Sequence, residues 1–153
     1  MRDYTATRAI PADPDEVFRL LTEPRRLPEW NHKIVRLVQA PESLTTGCQW
    51  VVELSALGQS WRSRSTVVEL AAPARRFAYR SQTDDGNPSY ADWTWQVDRA
   101  PDGSAVSVSL ALHPATFWRR VLLVKVRSQQ LRRHELPESL SALASLATTV
   151  PLR

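Results

Sequence analysis

The sequence predicts an α+β fold in which a curved antiparallel sheet of six to seven strands wraps around a long C-terminal helix. Two short helices follow the first strand. Three observations carry this prediction: period-two apolar alternation in the middle of the chain, helical spacing in its last third, and a short proline-bounded stretch after the first strand. Only the long helix is large enough to cover the apolar sheet face, so residues 1–153 are expected to form one domain.

The N-terminal elements are marked by strong local signals. Residues 4–10 have the composition of a strand, and Asp13 follows as a good helix N-cap. Pro14 suits the first helical position, and Glu16 completes a capping-box pattern. The helix should end at Pro24, and residues 25–30 are predicted to form a second short helix or turn.

The middle of the chain is rich in predicted strands. The clearest alternation lies in residues 91–97, where Trp93, Trp95 and Val97 share one face. Such alternation predicts a sheet with one buried and one wet face. A second clear alternation, in residues 105–112, places four residues on the apolar face: Val106, Val108, Leu110 and Leu112. The remaining candidate strands are residues 34–38, 48–54, 61–70 and 77–81.

The strand predicted at residues 61–70 does not reveal which of its faces points inward. One face carries Arg62, Arg64, Thr66, Val68 and Leu70. The other carries Trp61, Ser63, Ser65, Val67 and Glu69. Both sets mix polar and apolar residues, so both registers stay open.

The last third of the chain changes to a helical period. The residues at helical spacing are Phe117, Val121, Val124, Ser128 and Leu131, continued by Leu136, Leu140, Leu143 and Ala147, and all of them except Ser128 are apolar. Pro137 is expected to kink or split this helix near residues 133–136. A long helix cannot contact the whole of a strongly curved sheet, so we expect a cavity between them.

Composition excludes several classes of protein. The chain has 42% hydrophobic and 24% charged residues, close to the average of globular proteins. Its longest clear apolar run, residues 121–124, is far short of the roughly 20 residues that span a bilayer. The single cysteine, Cys48, excludes an internal disulfide and a cysteine-based zinc site. The first residues lack a basic-then-apolar leader, and we expect a cytoplasmic protein.

The excess of basic over acidic residues raises nucleic acid binding as an alternative function. The net charge is +4, and every basic residue except Lys33 and Lys125 is an arginine. A binding face requires clustered cations. The arginine pairs at residues 25–26, 75–76, 119–120 and 132–133 are instead dispersed, with acidic residues between them. A solvated surface is the better interpretation, and no nucleic acid partner is expected.

Several motifs resemble one known superfamily. Residues 10–18, followed by Leu21 and residues 28–31, resemble the opening of the SRPBCC superfamily, the START-like and birch-pollen-allergen-like helix-grip proteins. The nearest resemblance is to the bacterial polyketide cyclase/dehydrase family, and it covers about residues 4–147. The other matching positions are Thr46 and Gly47 before Trp50, residues 68–77, and residues 132–143.

The resemblance implies a helix-grip fold with a ligand cavity between the sheet and the C-terminal helix. Aromatic residues on the apolar strand faces would then line a pocket for a flat or polycyclic compound, although an ordinary core is the alternative. Trp30, which follows two nearby prolines, is expected to pack under the short helices. The predicted ligand-binding residues are Trp50, Phe77, Tyr79, Trp93 and Trp95 on strands, and Phe117, Val121 and Val124 on the helix.

The predicted function is binding of one hydrophobic small molecule, such as a lipid, a polyketide or another aromatic or polycyclic compound. The alternative is a polyketide cyclase or dehydratase acting in the same cavity, with Tyr79 and His113 as catalytic candidates. Arg62 or Arg64 would join them if it faced inward. The histidines lack metal-ligand spacing and no nucleophile motif occurs, so neither a metal nor a cofactor is expected. A monomer and a homodimer are both compatible with the sequence.

Overall fold

The computed structural model describes residues 2–31, 34–56, 58–83, 89–113 and 136–149. Its strands are β1 (Arg2–Ile10), β2 (Ile34–Gln39), β3 (Gln49–Ala56), β4 (Gln59–Ala71), β5 (Arg76–Thr83), β6 (Tyr90–Ala100) and β7 (Gly103–His113). Its helices are α1 (Pro14–Leu21), α2 (Leu27–Trp30) and α3 (Leu136–Thr149), with a 3₁₀ turn at Pro24–Arg26 before α2.

The seven strands form one open antiparallel sheet. Its order is β1-β7-β6-β5-β4-β3-β2, so the strands from β2 to β7 pair in sequence and β1 closes onto β7. This confirms the predicted architecture, including the two short helical elements after the first strand. We call the sheet face that carries the core residues the inner face and the opposite one the outer face.

Local sequence signals start α1 largely as expected. The Asp13 carboxylate accepts a hydrogen bond from the Asp15 backbone N–H at 3.0 Å, with Pro14 in the first turn. The capping box is the exception, because the Glu16 carboxylate binds the Arg19 guanidinium at 2.6 Å. The apolar side of α1 is buried in the core through Val17, Phe18, Leu20 and Leu21.

The structure resolves the register of β4. Ser63, Ser65 and Val67 are buried on the inner face, while Arg62 is exposed. Arg64 also alternates outward, where its guanidinium donates to the Gln49 side chain at 3.2 Å. The alternative in which Arg62 or Arg64 enters the cavity is therefore wrong, since the inward positions of this strand hold serines.

The C-terminal helix α3 packs against the two short helices and the first strand. Leu140 and Leu143 are buried, and α3 contacts α1, α2 and β1. The predicted lid residues Phe117, Val121 and Val124 lie outside the described residues, as does the segment just before Leu136 where an interruption was expected. Within the described ranges, no helix is long and apolar enough to cross a membrane.

A tight contact joins the start of β7 to the chain after β1. Gly103 has a φ of +140°, and a Cβ built there would lie 2.5 Å from the Ile10 carbonyl oxygen and 2.7 Å from the Ala12 nitrogen. The neighbouring Ser104 hydroxyl donates to the Ala12 carbonyl oxygen at 2.6 Å. Glycine is required here because both the backbone angle and the space exclude a side chain.

We expect Gly103→Ala to lower the free energy of unfolding by about 3 kcal/mol or more, because backbone strain adds to a clash with main-chain atoms. Gly58→Ala is the matched control, since Gly58 also has a positive φ, +74°, but open space around its Cβ position. The control should lose only about 1–2 kcal/mol from the strained angle. Urea unfolding measures both values, and equal losses would contradict the steric argument.

Candidate functional site

Five aromatic side chains from three strands meet on the inner face of the sheet. Strand pairing sets Phe77 opposite Trp95 and Tyr79 opposite Trp93. All five are buried, with exposed fractions between 0% and 8%. We call them the aromatic cluster: Trp50, Phe77, Tyr79, Trp93 and Trp95. The structure thus brings together all the strand residues that the sequence suggested for ligand binding.

Tyr79 lies at the centre of the aromatic cluster. Its ring centroid is 4.8 Å from that of Trp50 in an edge-on arrangement, and 5.0 Å from that of Phe77. The Tyr79 and Trp93 rings are nearly parallel, with centroids 6.1 Å apart and an interplanar angle of 18°. Edge-on and offset contacts suit the charge distribution of aromatic rings, so the rings of Trp50, Phe77, Tyr79 and Trp93 form a connected π surface.

A buried hydrogen bond fixes the centre of the cluster. The Trp95 indole N–H donates to the Tyr79 phenolic oxygen at 3.3 Å. The phenolic oxygen acts as the acceptor in this bond. The bond therefore orients a polar group within an otherwise apolar surface.

Trp30 connects the aromatic cluster to the helices. It is buried at the end of α2 and packs against Trp95, with centroids 5.2 Å apart and an interplanar angle of 78°. This matches the packing role expected from the sequence. Its indole nitrogen has no hydrogen-bond partner in the described part of the chain. The edge-on geometry permits a weak contact between an N–H and a ring face at this junction.

Sequence reasoning missed a polar group beside the aromatic cluster. Ser63 and Ser65 of β4 lie opposite Thr83 and Ser81 of β5. We call these four residues the hydroxyl quartet. The Ser65 and Ser81 hydroxyl oxygens are 2.7 Å apart. The serines of β4 were visible in the sequence, but only a known register could have assigned them to the inner face.

His113 lies on the outer face of the sheet, which corrects the expectation that it acts as a catalytic residue in the cavity. Side chains alternate along β7, so Val108 and Leu110 are buried on the inner face and the His113 side chain lies on the outer face. Its ring stacks on Tyr90 at 4.5 Å, and its Nε2 lies 3.4 Å from an Asp92 carboxylate oxygen. An imidazole in this position faces away from the aromatic cluster.

An arginine completes the surroundings of His113 on the outer face. Arg80 binds Asp92 through two hydrogen bonds, of 2.8 and 3.2 Å, and its guanidinium carbon lies 4.0 Å above the Tyr90 ring. The hydrogen bond to Asp92 raises the pKa of Arg80 above its ordinary value. Both partners are partly exposed, so this pair contributes at most about 1 kcal/mol to stability.

The described residues hold no group of three or more histidine, cysteine, aspartate or glutamate side chains that could bind a metal ion. The arginines in this part of the chain are largely engaged with acids. Ion pairs join Arg19 to Glu16, Arg26 to Glu29, Arg36 to Glu53, Arg75 to Asp15, Arg76 to Glu69, Arg80 to Asp92 and Arg99 to Asp13. These pairs neutralise part of the positive charge on the described surface.

An open antiparallel sheet, short helices after its first strand and a C-terminal helix define a helix-grip protein. Comparison with known families agrees, since residues 1–147 match the family described as polyketide cyclase / dehydrase and lipid transport. The chain belongs to this family, within the SRPBCC superfamily that its motifs resemble. Among curated proteins, no sequence matches.

Solved structures share the fold at low sequence identity. Protein CV1439 from Chromobacterium violaceum is 20% identical, with a TM-score of 0.72 over 97% of this chain and 98% of its own. Major latex-like protein 151 from Panax ginseng is 14% identical, with a TM-score of 0.74 over 98% of both chains. The di-domain ARO/CYC StfQ of the steffimycin biosynthetic pathway is 15% identical, with a TM-score of 0.75 over 95% of this chain and 50% of its own.

We expect Tyr79→Phe to lower the free energy of unfolding by about 1–3 kcal/mol, because the buried Trp95 indole N–H loses its acceptor. In a Trp95→Phe background that donor is absent, and the same change should cost less than about 1 kcal/mol. Urea unfolding followed by far-UV circular dichroism gives the full double-mutant cycle. Equal losses in the two backgrounds would mean that this hydrogen bond contributes nothing.

Proposed function

We propose that this protein binds a hydrophobic small molecule, such as a lipid, a polyketide or another aromatic or polycyclic compound. The ligand lies on the inner face of the sheet, against the aromatic cluster. The observation that carries the proposal is the convergence of five aromatic side chains from three strands on one face. Flat apolar ligands gain both buried area and ring contacts on such a surface.

A gradient of burial along the inner face supports a pocket over a uniformly filled core. Phe77 and Trp95 are sealed, with exposed fractions of 0% and 1%. One row along, Tyr79 and Trp93 rise to 7% and 8%. In the next row Ser81, Ala91 and Leu112 are partly exposed. Exposure of the inner face thus increases toward Ser81, and this is the end at which a ligand would enter.

The family and one structural relative support the same class of ligand. The family's description combines polyketide cyclisation and dehydration with lipid transport, all of which involve largely apolar molecules. The relative StfQ is an ARO/CYC protein of a biosynthetic pathway. The absence of charged residues at the inward positions of β3, β4 and β5 within the described ranges agrees with an apolar site.

Trp93→Leu should weaken binding of the neutral dye N-phenyl-1-naphthylamine at least tenfold, because it removes a ring from the accessible end of the aromatic cluster. Leucine keeps much of the buried volume and so limits damage to the fold. The matched control is Tyr90→Leu, an aromatic residue of the same strand on the outer face, and a second control is His113→Ala. Both controls should leave the affinity within about twofold.

The measurement is dye fluorescence titration, with circular dichroism to verify the fold of each variant. Wild-type protein should bind one dye per chain, and native mass spectrometry gives the stoichiometry independently. No saturable binding by the wild type would overturn the proposal. Equal weakening by Trp93→Leu and Tyr90→Leu would place the dye elsewhere and overturn the assignment of the aromatic cluster.

A second candidate, cyclase or dehydratase activity in the same site, is favoured by the position of Tyr79. Its phenolic oxygen accepts a hydrogen bond from the Trp95 indole among apolar rings, so a polar group lies beside the surface on which a folded chain would bind. In an intramolecular aldol reaction, an enol carbon bonds to a ketone carbon and the ketone oxygen becomes a hydroxyl. Loss of this hydroxyl with a neighbouring hydrogen releases water and forms a double bond.

With a linear poly-β-keto thioester as substrate, Tyr79→Phe should lower kcat by about a hundredfold or more while KM changes only several-fold. Absorbance of the aromatic product measures the rate. His113→Ala is the control and should retain wild-type turnover, because its ring lies on the outer face. Unchanged kcat in Tyr79→Phe would exclude this residue from catalysis, and no turnover by the wild type would leave ligand binding as the function.

A further inference from the structure

We propose that the hydroxyl quartet, Ser63, Ser65, Ser81 and Thr83, is a polar subsite that binds a neutral oxygen substituent at one end of the ligand. This inference rests on the proposed ligand-binding function and narrows it. The ligand would be amphipathic, with its rings on the aromatic cluster and a ketone or hydroxyl group on the quartet. These two contacts together would fix the orientation of the ligand in the site.

Strand pairing places the quartet directly beside the aromatic cluster. Ser65 lies opposite Trp50 on β3 and opposite Ser81 on β5. Ser81 is two residues from Tyr79, so the two side chains share the inner face of one strand. Neighbouring side chains on one face of a sheet lie about 5–7 Å apart, which is the length of one to two fused rings. One ligand can therefore contact both groups.

Ser63 adds a hydroxyl that no protein group uses. The residue is 6% exposed, and within the described part of the chain its hydroxyl makes no hydrogen bond. Among the described residues, the fully buried polar side-chain atom without a partner is the Trp30 indole nitrogen, so the Ser63 hydroxyl keeps some accessible surface. A hydroxyl that faces inward, is accessible and has no protein partner can bind a ligand, whereas Ser104 donates its hydroxyl to the Ala12 carbonyl oxygen.

The Ser65 and Ser81 pair adds hydrogen-bonding capacity to the subsite. Each hydroxyl has one donor and two acceptor positions, and a single hydrogen bond of 2.7 Å between them uses only one donor. The second O–H can therefore be directed at another acceptor on the inner face. Together with Ser63, the pair offers donors and acceptors at the same place, as a ketone or hydroxyl group requires.

The charge pattern around the quartet selects a neutral group over an anion. Arg62 and Arg64 flank Ser63 in sequence but alternate to the outer face. The inward positions of β4, from Trp61 to Val67, carry no charged side chain. A carboxylate or phosphate would lose its hydration here without gaining a counter-charge, and this cost disfavours it.

The test compares two probes of nearly the same shape, 2-naphthol and 2-methylnaphthalene, which differ by a hydroxyl in place of a methyl group. Ser63→Ala combined with Ser65→Ala should weaken 2-naphthol about fivefold to tenfold, because the hydroxyl of the probe loses its partners. Binding of 2-methylnaphthalene should stay within about twofold. Tryptophan fluorescence quenching measures both affinities.

Two further variants separate hydrogen bonding from packing. Ser63→Thr keeps the hydroxyl and should keep the wild-type ratio of the two affinities. Ser107→Ala removes an outer-face hydroxyl that pairs with Thr7, and it should change neither affinity. A third probe, 2-naphthoate, should bind more weakly than 2-naphthol at neutral pH, since it is ionised.

Each alternative outcome has a distinct meaning. An equal change for both neutral probes in the double variant would overturn the subsite and leave the hydrophobic site in place. Tighter binding of 2-naphthoate than of 2-naphthol would overturn the selection of a neutral group. Failure of every probe, together with failure of the neutral dye, would overturn the proposed function and this inference with it.

Discussion

The pairing of β5 with β6 is the constraint on which the site depends. It sets Phe77 opposite Trp95 and Tyr79 opposite Trp93, and so builds most of the aromatic cluster from two adjacent strands. A slip by one residue would turn these rings to the wet face, because side chains alternate strictly along a strand. On the outer face of the same pair, the two hydrogen bonds between Arg80 and Asp92 favour the same register. The buried rings and the exposed ion pair therefore specify one alignment from opposite sides.

The sequence predicted the fold well wherever alternation was clean. In β6 and β7, large apolar residues alternate with small or polar ones, and six of the seven predicted inward residues are buried, while Leu112 is partly exposed. The same rule also assigns His113 to the outer face, since Leu112 belongs to the apolar set. The expectation that His113 reaches the cavity gave more weight to its place at a strand end than to its parity. In this case the period-two rule was the better guide.

Strand β4 could not be assigned from sequence because its alternation changes within the strand. A register shift between Val67 and Glu69 leaves Val68 exposed and returns Leu70 to the side of the core. One continuous period therefore fits neither face, and arginines and serines became equal candidates for the interior. An irregularity of this kind is set by pairing with both neighbouring strands, and the residues of one strand do not encode it alone. The hydroxyl quartet was hidden for this reason.

The contrast between two kinds of buried polar group separates structural roles from functional ones. Ser104 and Trp95 are buried, and each has a partner from another segment, so each stabilises the contact that buries it. Ser63 lies on the inner face beside the aromatic cluster and has no such partner among the described residues. Its hydroxyl keeps some accessible surface and stabilises no contact within the described fold, so its hydrogen-bonding positions stay open on the inner face. In the proposed site, the ligand supplies the partner that the fold does not.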